Sequence, residues 1–154
     1  MPAIKIWLSL RQTVQYGIPV IVSAGDNRDT TEVYSPASAE LAYTVAASDI
    51  RDNYAYFANY GPEINLVAPG VDVESTWFLH GSPEEGDRDT RVMSGSAQAT
   101  ATVCGLAAYF RSLKLGTESP NALYKTLDTY PIDGILKQVK NGSPNKLAQN
   151  NFDN

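Results

Sequence analysis

The 154-residue sequence has a single cysteine, Cys104, and a single histidine, His80. One cysteine cannot form an internal disulfide, so any stability this chain has of its own is non-covalent. Basic residues are also sparse: 12 Lys and Arg stand against 17 Asp and Glu, for a formal net charge of −5. They are scattered and form no basic stripe, which argues against nucleic acid or an anionic membrane as partner. No apolar run reaches the roughly 18 residues of a membrane-spanning helix. The segment from Met1 to Leu10 holds one Lys and a short apolar patch, too short for a secretory signal with its cleavage site. The cellular compartment stays open.

What is present is an ordinary globular composition, 43% hydrophobic and 19% charged, enough for one modest core and not for two domains. Ile6 to Tyr16 mixes Trp7, Leu8, Leu10, Val14 and Tyr16 with polar residues in a helical pattern, closed by Gly17. Pro19 to Ala24 is a β-branched run of the kind found in strands covered on both faces. Leu41 to Ala47 and Ile64 to Val67 read as further strands, and Val73 to Leu79 as a strand or hairpin arm. Gly81 to Thr90 is polar and acidic and predicts an exposed loop. Ser96 to Leu113, rich in alanine, predicts a helix with Val103, Leu106, Tyr109 and Phe110 at turn-like spacings, ended by Lys114 and Gly116. Pro120 opens another helix, Asn121 to Leu127, behind the N-cap candidate Ser119. The last 20 or so residues predict a loop, a short strand and a polar tail. Helices alternating with strands predict an α/β fold with a parallel sheet.

The run Ser94-Gly95-Ser96-Ala97-Gln98-Ala99-Thr100-Ala101-Thr102-Val103-Cys104-Gly105-Leu106-Ala107-Ala108 resembles the nucleophile motif of the subtilisin-like serine proteases (subtilases, peptidase S8), S-G-T-S-M-A-T-P-H-V-A-G-L-A-A. Five further segments are similar to family motifs and lie in the family's order along the chain. Gly17 to Asn27 resembles G-I-x-V-V-V-A-A-G-N-x, and Tyr34-Ser35-Pro36-Ala37-Ser38 resembles Y-S-P-A-S. Phe57-Ala58-Asn59-Tyr60-Gly61 and Ala68-Pro69-Gly70 resemble F-S-N-Y-G and A-P-G. The tail, Ser143 to Ala148, is similar to T-P-N-x-L-x. The flavour is that of the fungal, proteinase K-like branch. The resemblance implies a three-layer subtilisin-like α/β fold, of which residues 1–154 form one partial domain. That domain is the C-terminal half of the parallel sheet with the nucleophile-motif helix at its centre. The family domain is nearly twice this long, and its D-T-G and H-G-T-H motifs, around the catalytic aspartate and histidine, have no counterpart here. His80 falls where the family has a variable surface loop and reads as an exposed loop residue.

Aligned from Val103, Gly105 and Leu106 leftward, Ala97 occupies the position of the nucleophilic serine. A methyl group has no lone pair to attack a carbonyl and no proton for a base to take. Moving Ser96 into that position would slip the helix by one residue, turning its face by about 100°, and Ser94 is further out of register still. The resemblance also implies that Asp26 stands where the family's oxyanion-stabilising asparagine stands. An ionised carboxylate has no proton to donate there. Read blandly, Asp26 is a turn former or helix-capping loop residue. The family's P-H pair is replaced by Ala101-Thr102. Changes at Ala97, Gln98, Ala101, Thr102 and Asp26 together favour natural decay over a single knock-out. The old substrate cleft would keep Ser23, Ala24 and Gly25 as one wall.

In the proteinase K-like branch a calcium ion is held by an aspartate before A-P-G and by carbonyls after S-P-A-S; the matching positions are Asn65, Glu40 and Ala42. Asn65 brings an oxygen but no charge, so these are weak calcium candidates and no other cofactor is implied. Cys104 replaces a buried helix alanine and reads as a small core residue. The reading is a catalytically incompetent subtilase half-domain, acting if at all by binding a peptide or protein. Competing readings are a protease lineage whose Asp and His come from another segment, and a fragment with no selected function. Expected partners are a complementing N-terminal half or a second copy.

Overall fold

The computed structural model describes residues 2–77 and 90–150, with side chains from residue 6 onward. Five strands form the main sheet in the order β1-β2-β3-β7-β6. β1 (Ile21–Ser23), β2 (Tyr43–Ser48) and β3 (Ile64–Pro69) run parallel, and β7 (Lys146–Leu147) joins β3 in parallel. β6 (Ile132–Asp133) closes the far edge antiparallel to β7. A separate antiparallel pair, β4 (Val73–Thr76) with β5 (Thr90–Met93), leads into the long helix. Helices are α1 (Pro2–Gln15), α2 (Ser96–Ser112) and α3 (Pro120–Thr129). The α/β class and the mostly parallel sheet agree with the sequence reading.

The layering follows from strand alternation, since successive side chains leave a strand on opposite faces. Ile21 packs toward the main core of Val45, Leu66, Val67, Val103, Phe110 and Leu123. Val22 turns the other way, into a smaller cluster with Leu10 of α1, Ala39 and Ala42. Helix α2 buries Ser96, Ala99, Val103, Ala107 and Phe110, an i, i+3, i+4 stripe laid on the sheet. Its small residues allow close approach. Helix α3 begins as its sequence predicts, with the Ser119 hydroxyl accepting from the Ala122 N–H at 3.1 Å and Pro120 in the first turn. The Tyr124 hydroxyl then accepts from Val20 N at 2.8 Å, anchoring α3 beside β1.

Some expectations need correction. Cys104 is exposed and is not a core residue. It lies about 100° around the helix from buried Val103, on the side away from the sheet, with Ala101, Ala108 and Tyr109. Helix α2, expected at the centre of the domain, is covered on its sheet side among the described residues. The short strand expected in the tail is β7, and it pairs with β6, which lies just before the last 20 or so residues. His80 and nearly all of the predicted Gly81–Thr90 loop lie outside the described residues, as do Phe78 and Leu79.

Candidate functional site

The site lies where the loop after β1 meets the start of α2. Gly25 opens the loop at φ +92°, and a Cβ there would stand 2.6 Å from Asn59 Nδ2, so only glycine fits. Asn59 is fully buried and organises everything around it. Its Oδ1 accepts from Asn27 N at 2.8 Å and Asp29 N at 3.1 Å, and its Nδ2 donates to the Ala24 carbonyl at 2.9 Å. Its own N–H donates to the Gly25 carbonyl. One side chain thus satisfies three backbone groups of a loop about 30 residues away, in addition to its own backbone bond. Neighbouring Tyr54 donates from its hydroxyl to the Asn59 carbonyl at 2.7 Å, and burial pushes its pKa up to about 12.

This clamp directs Asp26 at α2. The carboxylate accepts the Ser96 N–H, Oδ1 at 2.9 Å and Oδ2 at 3.2 Å. That N–H is one of the first-turn donors that a helix cannot satisfy internally, and the helix dipole favours an anion there. A Cβ on Gly95 would meet Gln98 Oε1 at 2.7 Å and Asp26 Oδ2 at 3.0 Å, so the amide and the carboxylate converge over the Gly95 Cα. The segment is pinned from below by Gly95 N donating to the Gly70 carbonyl of the A-P-G turn.

The register on the first turn of α2 is explicit. Ser96 is fully buried and its hydroxyl donates to the Gly25 carbonyl at 3.3 Å. Ala97, next along the helix, is exposed and carries the only side chain of the pair that faces solvent. Ser94 is exposed in the approach to the helix, where its hydroxyl accepts from Asp72 N and donates to Asp72 Oδ1. Of the proposed cleft wall, Ser23 and Gly25 are half-buried, while the Ala24 methyl is fully buried in the core.

The candidate calcium residues are Asn65 on β3 and Glu40 and Ala42 just before β2. Asn65 Oδ1 accepts from Thr44 N at 2.7 Å, the Glu40 residue is exposed and Ala42 is buried. No group of three or more His, Cys, Asp or Glu side chains comes together to hold a metal among the described residues. No helix among them is long and apolar enough to cross a membrane. The residue that sequence reasoning missed is Asn59. Its motif was visible, but its partners are too distant in sequence for any local pattern to reveal its role.

The profile of the Subtilase family matches residues 4–148. The chain belongs to the subtilase family. It is 40% identical over 142 residues to Subtilisin-like protease 2 of Pseudogymnoascus destructans, covering 92% of this chain and 34% of that protein. It is 39% identical over 138 residues to Proteinase R of Parengyodontium album, covering 90% of this chain and 33% of that one. Among solved structures, a cold-adapted subtilisin-like serine proteinase superposes with a TM-score of 0.77 at 26% identity, over 89% of this chain and 46% of the other. This subtilase chain therefore spans about a third of the length of the curated relatives it matches.

Proposed function

We propose that this subtilase chain does not hydrolyse peptide bonds and acts by binding a peptide or protein segment at the inherited cleft. The observation that carries the reading is the first turn of α2. The exposed position belongs to Ala97, and the adjacent Ser96 hydroxyl points inward onto the Gly25 carbonyl. Acyl transfer needs a nucleophile, a base and oxyanion donors in one place. Here the nucleophile position is a methyl, and Asp26 puts an acceptor where a donor is required. Asp26 also occupies the Ser96 N–H. Loss of one such donor costs about 10²–10³ in rate, a general figure measured in a subtilisin.

A second reading has one observation in its favour. Because the chain spans only about a third of its relatives, the aspartate and histidine can belong to another segment. Ala97 weighs against it, since a missing nucleophile is the hardest part to supply from outside. Purified protein treated with a serine-directed organophosphonate and a chromogenic peptide tests both. No labelling and no cleavage are expected; labelling at Ser96 would overturn the first reading.

The partner reading rests on the sheet. β1 is its edge among the described strands, and open edges recruit further strands. Trp7 and Leu8 of α1 stand 46% and 57% exposed, a further apolar surface. A complementing segment or a second copy along this flank is the expected partner. Sedimentation at several concentrations decides it: a monodisperse monomer with a sharp cooperative melt would rule it out.

A further inference from the structure

The β2–β3 junction contains a register shift. Thr44 lies opposite Ile64 but Val45 lies opposite Leu66, so Asn65 is an extra residue with no partner across the ladder. Such a bulge breaks the ladder locally, and Thr44 is only 1% exposed, so water cannot serve its N–H. The Asn65 side chain does, accepting that N–H at 2.7 Å. Thr44 also reaches the other way: its hydroxyl donates to the Ala37 carbonyl at 2.8 Å, in the turn of the S-P-A-S segment. Asn65, Thr44 and Ala37 therefore tie β3, β2 and the loop before β2 in one continuous chain of hydrogen bonds.

These are the elements that a calcium ion held by Asn65, Glu40 and Ala42 would tie. The donor set does not fit the ion. Its β3 member is a neutral amide where a carboxylate would help to offset two positive charges, and the one carboxylate of the set belongs to Glu40, an exposed residue. The amide oxygen already faces an N–H, whose positive end would oppose a cation on the same atom.

We propose that Asn65 and Thr44 form an ion-free clasp, in which the Asn65 amide and the Thr44 backbone and hydroxyl perform the cross-link that a metal would otherwise provide. The fold of this chain is then independent of calcium. The inference does not depend on whether the chain is a peptidase.

The test is thermal unfolding of the full chain in about 10 mM calcium, in about 10 mM magnesium and in chelator. Even a weak calcium site, with a dissociation constant of about 1 mM, would raise the midpoint by about 3–5 °C under those conditions. The clasp predicts midpoints equal within about 1 °C in all three. Asn65→Ala should lower the midpoint by about 3–8 °C by stranding the buried Thr44 N–H. Thr44→Val keeps the β-branched shape and removes only the bond to Ala37; it should lower the midpoint by about 2–4 °C. A calcium-specific rise in the wild-type midpoint, or an Asn65→Ala protein with the wild-type midpoint, overturns the proposal. If Asn65→Ala does not fold, the wild-type metal series and Thr44→Val still decide it.

Discussion

The Asp26 carboxylate caps helix α2 through the Ser96 N–H, with Oδ1 at 2.9 Å and Oδ2 at 3.2 Å. A carboxylate here gains twice, from the hydrogen bond and from the helix dipole. Asp26→Ala should therefore cost about 0.5–2 kcal/mol, seen as a lower midpoint in urea unfolding with an unchanged slope. Asp26→Asn keeps an acceptor and should lose only part of that. An Asp26→Ala protein as stable as wild type would mean that the cap carries no stabilisation.

The same carboxylate bears on chemistry. Ala97→Ser puts a hydroxyl on the exposed first-turn position but supplies no base and no oxyanion donor. The variant is expected to remain silent toward an organophosphonate probe and a chromogenic peptide. Ala97→Ser combined with Asp26→Asn should stay silent as well, because the histidine position is unfilled by the matched motifs. Turnover by either protein alone would show that a base exists within this chain.

Asn59 offers a sharper stability test. Asn59→Ala strands the N–H groups of Asn27 and Asp29 and the Ala24 carbonyl together. Each stranded buried group costs about 1–3 kcal/mol, less where water can enter. The loss should be about 2–5 kcal/mol, larger than for Asp26→Ala. Hydrogen exchange should localise the first opening to residues 25–29 and to the start of α2.

How far the sequence reached can be traced residue by residue. β1 was legible because Pro19 to Ala24 is a β-branched run of the kind a strand covered on both faces needs, and β3 because Ile64 to Val67 is apolar apart from Asn65. Helix α3 was legible from Ser119 and Pro120, whose effects are local. The possibility that Asp26 caps a helix was also legible, but the helix it caps starts 70 residues later. Asn59 and the Asn65 bulge were not legible for the same reason: a side chain that satisfies a distant backbone leaves no periodicity. At two residues β6 is too short to show alternation, and β7 was reached only through the likeness of Ser143 to Ala148 to a family motif. Cys104 was misplaced because its burial was carried over from the alanine at the matching family position, while exposure depends on what packs against that face of the helix.

The exposure of Cys104 gives a chemical prediction. Partial burial raises the thiol pKa, so less thiolate is present at neutral pH than for a free cysteine. A small thiol reagent should label the native protein at one site, slowly at neutral pH and faster as pH rises. Cys104→Ser should change stability by no more than about 0.5 kcal/mol, as expected for a surface position. Labelling only after denaturation would place the sulfur in the core.

Alkaline pH should unfold this protein through its buried tyrosines. Tyr43 donates from its hydroxyl to Asp128 Oδ1 at 2.8 Å. Burial first, and then the negative charge of Asp128, push its pKa far above the ordinary value. Burial likewise pushes Tyr54 up to about 12. In the unfolded chain both phenols would titrate near the ordinary tyrosine value of about 10. Below that value both states keep the proton and the stabilisation is complete. Above it the unfolded chain ionises while the folded chain does not, so unfolding releases protons and rising pH favours it. Each tyrosine then contributes a slope of about 1.4 kcal/mol per pH unit, until its folded form ionises too. Urea unfolding midpoints should hold steady up to about pH 9.5 and fall steeply from about 10 to 12. Tyr43→Phe removes one of these protons, and with it about 1.4 kcal/mol per pH unit of the slope. It also leaves Asp128 without its partner, so its midpoint at neutral pH should be lower than wild type while its alkaline decline is shallower. A wild-type midpoint flat through pH 11 would show that neither phenol is protected by the fold.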